Sequence, residues 1–142
     1  MRAIDTFYVT KTRNDYPAII REAREIGFLY PAPHVFITRL DFNDPESKYF
    51  AMRLRPLSHR CATVRDSRIN NNGVGIVIQS LDDHILESAL LIAASEIKNI
   101  IEDLGIVNYN IVTDEIDKER RVETMTLESK VSIVPSKFTR LK

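Results

Sequence analysis

The stretch from Ser80 to Gly105 limits the fold of this chain more than any other. Ser80-Leu81-Asp82-Asp83 offers an N-cap and acids suited to the positive end of a helix, and Gly105 offers a stop, so a helix over 81–104 is predicted. Along it Ile85, Leu86, Ala89, Leu90, Leu91, Ile92, Ala93, Ala94, Ile97, Ile100, Ile101 and Leu104 cover more than one stripe. Leu86, Leu90, Ala93, Ile97, Ile100 and Leu104 form one seam, and Leu91 and Ala94 lie off it. Such a helix needs cover on two sides. The rest of the chain supplies it if the first helix and the segment from Val131 to Leu141 fold over it. The expected cover is a second copy of the chain, self-associating through helix 81–104.

Elsewhere the apolar period alternates between two and about 3.6. Ile4 to Thr10 reads as a strand. Asn14-Asp15-Tyr16-Pro17 opens a helix with Tyr16, Ile19, Ile20, Ala23 and Ile26 on one face, and Gly27 closes it. Val35 to Phe42 reads as a strand, and Tyr49 to Leu54 alternates, with Phe50, Met52 and Leu54 on one face and Tyr49, Ala51, Arg53 and Arg55 on the other. A short strand is expected at Cys61 to Arg65. Asn70-Asn71-Asn72-Gly73 is the strongest turn signal, since Asn and Gly tolerate positive φ. Beyond it Val74 to Gln79, Val107 to Ile116, Val122 to Leu127 and Val131 to Val134 read as strands.

These elements predict an α+β fold, a largely antiparallel sheet with two main helices. Each part of the chain reads strand, helix, then further strands, so residues 1–142 are expected to form a single domain with pseudo-halves of about 1–70 and 73–142. Doubled β-α-β-β units of this kind resemble ferredoxin-like domains.

A length of 142 residues suits one domain with its own core. The 20 basic and 20 acidic side chains cancel, so any polyanionic partner must meet a local patch rather than the whole surface. The lone Cys61 cannot form an intramolecular disulfide, no apolar run approaches membrane-spanning length, and no signal peptide is evident, so a cytoplasmic location without membrane contact is expected.

The least ordinary polar feature runs from Lys48 to Arg68, where Lys48, Arg53, Arg55, Arg60, Arg65 and Arg68 face the single acid Asp66. Arginine's planar fork suits phosphate or carboxylate, and Arg53 and Arg55 are spaced to share a strand face. The expected ligand-binding residues are therefore Arg53, Arg55, His59, Arg60 and Arg65. The competing explanation is ordinary ion pairing with acids elsewhere in the chain. Phosphate-loop, dinucleotide and nucleophile-elbow patterns are absent, and His34, His59, Cys61 and His84 have no metal-ligand spacing, so neither a metal nor a cofactor is expected.

The function expected from these features is a non-enzymatic homo-oligomeric binding protein holding an anion, such as nucleotide or nucleic-acid phosphate, on the arginine surface. An enzyme using His59 as general base on a phosphorylated or carboxylated substrate is the alternative. A structural assembly subunit of a viral or ribonucleoprotein particle is a third.

Overall fold

The β-branched run after Asp5 forms β1 (Thr6–Thr12), and Asp15 starts α1 (Tyr16–Ile26) by accepting the Ala18 N–H on its side chain at 3.0 Å. Pro17 sits in the first turn. Gly27, at φ +88°, ends the helix and returns its N–H to the Ala23 carbonyl at 3.1 Å. Next come β2 (Val35–Arg39), β3 (Tyr49–Arg53), α2 (Ser67–Asn72), β4 (Gly73–Gln79), α3 (Glu87–Leu104), β5 (Asn110–Thr113) and a helical turn pair over 127–133, here α4. The computed structural model describes residues 2–63, 67–81, 85, 87–113 and 127–135.

The strands form one sheet in the order β3-β2-β4-β1-β5. β4 lies at its centre, parallel to β1 and to β2, and β5 runs parallel to β1. Only β3 is antiparallel, paired with β2 from Val35↔Arg53 to Arg39↔Tyr49. The mixed α+β class therefore stands, while the pairing is mostly parallel rather than largely antiparallel. The reason is the two helical connections, which return the chain to the same sheet end before the next strand begins. The connection through α1 carries β1 over to β2, and that through α3 carries β4 over to β5 on the opposite face, so both crossovers have one hand.

One face of the sheet is a dense apolar layer. Phe7, Val9, Val35, Ile37, Val74, Ile76 and Ile78 point to it and meet Ala89, Leu90, Ala93, Ala94, Ile97 and Ile100 of α3. The alanines let α3 approach the strands closely. Leu127, Val131 and Val134 join the same cluster, and Lys98 Nζ donates to the Val134 carbonyl at 2.7 Å. Thus part of the cover for α3 comes from within the chain, and Leu91 stays 43% exposed.

Three local expectations change. The expected strand over 131–134 belongs to α4, because Leu127, Val131 and Val134 are spaced to face one helical side. The Asn70–Gly73 turn is instead the end of α2 running straight into β4, with no positive φ at its asparagines. Asn70 is buried there, its carbonyl accepting the Cys61 N–H at 3.0 Å and its side-chain oxygen facing Cys61 Sγ at 3.4 Å. Cys61 to Thr63 is not a strand, and Arg65 and residues 114–126 lie outside the described residues.

His34 ties the start of β2 to β4. Its backbone N–H donates to Gly75 O at 2.9 Å, while Gly75 N–H donates to His34 Nδ1 at 3.1 Å. The ring proton therefore sits on Nε2 and is donated to His59 O at 2.7 Å. Arg2 lies beside that nitrogen and donates its own N–H groups to Leu57 O, Asn71 O and Gly73 O. Burial first, then the charges of Arg2, Arg55 and Arg53, hold His34 neutral, with its pKa lowered from 6.5 to about 4.

Two consequences are measurable. Because the unfolded chain binds a proton at His34 between pH 6.5 and about 4 and the folded chain does not, stability falls as pH drops through that window. The contribution is about 3 kcal/mol at most, at about 1.4 kcal/mol per pH unit. His34→Gln is expected to cost stability at pH 7 in urea titrations, with the deficit shrinking toward pH 4; a constant deficit overturns the assignment. Gly73→Ala places a Cβ on the Ile69 carbonyl of α2. It is expected to lower stability by roughly 1–3 kcal/mol in the same assay, and a neutral result contradicts the tight α2–β4 junction.

Candidate functional site

The arginine cluster lies at the edge where the parallel strands begin, since β3 runs against them and ends there at Arg53. Arg53 turns toward α3 and donates Nε to Glu96 Oε2 at 2.8 Å. Arg55 follows the strand and turns the other way: its Nε donates to Arg60 O at 2.7 Å and its Nη1 to Pro31 O at 3.1 Å and Tyr30 O at 3.3 Å, with the guanidinium over the Phe28 ring. The two forks diverge. His59 is exposed, its ring edge against Tyr30 at 5.3 Å between centroids. Arg60 is exposed, and Arg65 lies outside the described residues. A shallow pocket of about 290 Å³ brings Tyr30, Arg53 and Arg55 together, without His59 or Arg60.

The opposite edge, where β1, β2 and β4 end, is built differently. Side chains alternate across a strand, so the face away from α3 carries Phe50, Thr38, Gln79 and Thr12 in one transverse row, and Met52, Phe36, Val77 and Thr10 in the next. α1 crosses this face through Ile19 and Ala23 but does not approach any strand as closely as α3 does. Open space remains on both sides of it. On the β2–β3 side a crevice of about 500 Å³ has Thr38 and Gln79 as its polar groups, with Tyr16, Leu40, Phe50 and Met52 around them and Asp15-Pro17 closing it from α1. On the β1 side a cavity of about 300 Å³ lies beneath the helix, lined by Thr10, Thr12, Val77, Ile19, Ala23 and Thr63 among others.

Gln79 is the decisive group. It is only 6% exposed, and one end of its carboxamide meets Thr38 Oγ1 at 2.7 Å. Its NH2 end opens onto the crevice, without a protein hydrogen-bond partner among the described residues but not sealed from solvent; the buried side-chain nitrogen left without a partner there is Arg39 Nε. Arg39 borders the same crevice, but its side chain turns to the α3 side, over the rings of Phe42 and Tyr49 at 4.8 and 5.4 Å. Its Nη2 donates to Phe42 O at 3.1 Å. The crevice thus presents an amide, a hydroxyl, three aromatic rings and a thioether, with Asp15 already engaged in capping α1.

Such a surface recognises a flat ligand by stacking and by its hydrogen-bonding edge. No described residues are grouped to hold a metal ion. The sequence does contain one signal of this site: Gln79 ends the apolar run GVGIVIQ, where a polar residue at the carboxyl end of a central parallel strand points to a ligand position. The parallel pairing that gives that signal its meaning became visible only in the structure.

Comparison of the chain with protein-family models, curated proteins and solved structures finds no match.

Proposed function

We propose that this chain is a non-catalytic binding domain that holds a small planar heteroaromatic ligand, of the nucleobase class, in the crevice at the carboxyl ends of β2 and β4. The observation that carries this reading is the buried Gln79 carboxamide, half used by Thr38 and half open to a crevice flanked by Phe50, Met52 and Tyr16. Thr38 already donates to the carboxamide oxygen, so the open NH2 offers its N–H donors to the ring nitrogen or carbonyl acceptors of a heteroaromatic edge. The position supports the reading too, because Gln79 ends β4, which borders the point between β1 and β4 where the connections leave over opposite faces and where open parallel sheets bind ligands. Binding rather than turnover is favoured by the lining, which has no paired acid and base.

A second reading is an anion at the opposite edge, held by Arg53, Arg55 and Arg60. Its support is the positive field that Arg2, Arg55 and Arg53 exert on His34. An anion there must displace Glu96 from Arg53 and compete with the loop carbonyls that occupy Arg55. Of the two, the crevice needs no such exchange. Self-association through α3 has the weaker support among the expected partners, since α4 occupies part of the side that a second copy was expected to cover.

The test is an NMR titration with free adenine, guanine, cytosine and uracil, and with inorganic phosphate. At least one base is expected to shift the Gln79 side-chain amide and the Met52 methyl. Gln79→Leu is expected to weaken that binding by about tenfold, the worth of one neutral hydrogen bond of roughly 1–1.5 kcal/mol. Phosphate shifts centred on Arg53 and Arg60, abolished by Arg53→Gln with Arg60→Gln, together with no response to bases, select the second reading and overturn the first.

A further inference from the structure

Resting on that reading of the crevice, we propose that the site is bipartite and takes a whole nucleoside, the base lying in the crevice and the sugar in the neighbouring cavity beneath α1. The two spaces adjoin through the chain itself. Thr12 of the cavity and Gln79 of the crevice are paired across β1 and β4 with their side chains on one face, and Asn14 of the cavity is followed directly by Asp15 of the crevice. Adjacent strands lie about 4.8 Å apart, a separation that a base and the sugar joined to it can span.

The cavity has the chemistry of a neutral polyol site. Thr10 has no side-chain hydrogen-bond partner among the described residues and lines the cavity beside its cross-strand partner Val77. Thr12 Oγ1 accepts the Asn14 N–H at 3.1 Å, so its own hydroxyl proton is available to an acceptor. Ile19 and Ala23 of α1 roof these hydroxyls with an apolar surface that fits the carbon face of a sugar ring. Of the charged residues, Lys11 and Glu22 line the cavity and offset one another, and Asp15 caps the helix that roofs the site. The lining thus adds no net positive charge to hold a phosphate, and the ligand class is the nucleoside rather than the nucleotide.

This arrangement gives α1 a purpose that packing alone does not. A helix laid on threonines with space on either side forgoes the apolar contact that α3 makes on the other face. A bound sugar supplies hydrogen-bond partners to the hydroxyls and fills the space, so α1 becomes the roof of a ligand site rather than part of the core.

Isothermal titration of the intact protein tests this with each nucleoside, its free base and its 5′-monophosphate. The selected nucleoside is expected to bind at least about tenfold more tightly than its base, and its monophosphate no more tightly than the nucleoside. Thr10→Val, which keeps shape and strand propensity, is expected to remove that advantage and leave base affinity unchanged, whereas Gln79→Leu weakens both. A base that binds with no gain from its sugar, a gain that survives Thr10→Val, or a monophosphate that binds tightest each overturns the bipartite site while leaving the crevice reading intact. Failure of every base and every nucleoside to bind overturns both.

Discussion

The structure depends on β4 being paired along both edges. With β1 on one side and β2 on the other, each held in parallel register, its backbone amides and carbonyls are satisfied within the sheet. Val74, Ile76 and Ile78 then reach zero exposure beneath α3. The β1-α1-β2 and β4-α3-β5 crossovers run in opposite directions across the sheet with one hand, which puts α1 and α3 on opposite faces. A central parallel strand covered on both sides is the physical source of the apolar run in Val74-Gly75-Ile76-Val77-Ile78.

The two faces of the sheet serve different ends. Toward α3, every strand position is Val, Ile or Phe near the centre, and alanines bring the helix close; this face carries the stability. Toward α1, the row near the carboxyl edge reads Phe50, Thr38, Gln79, Thr12. A buried Thr–Gln pair contributes less than an aliphatic pair of equal volume. Departures from good packing that have no local compensation concentrate where proteins bind.

Much of the scaffold was legible in the residues. The helix α1 follows from Asp15, Pro17 and Gly27; the end of α3 follows from Gly105, whereas its start lies at Glu87 rather than at Leu81, since Leu81 and Ile85 stand outside the helix; and the alternation of Tyr49 to Arg53 gives β3. What escaped was the information carried between segments. Nothing in Val74 to Gln79 says that β1 and β2 flank it in the same direction, and antiparallel neighbours would show the same local pattern. Asn70 to Asn72 has turn propensity, yet the buried pairing of Asn70 with Cys61 makes it helical. The segment at Val131 was too short for its period to distinguish strand from helix until Leu127 was seen to share its face.

The candidate site shows the same division more sharply. A run of arginines is conspicuous in a sequence because charge is counted residue by residue, whereas availability depends on neighbours far along the chain. Arg53 is paired by Glu96, and Arg55 is held by carbonyls at Tyr30, Pro31 and Arg60. One glutamine among apolar residues attracts no such notice. Its significance comes from burial that leaves only one partner, at the strand end where two crossovers diverge, beside a helix that stands off the sheet. Hydrogen-bonding capacity that the protein leaves open at a crevice is a stronger indication of a ligand than charge already balanced at the surface.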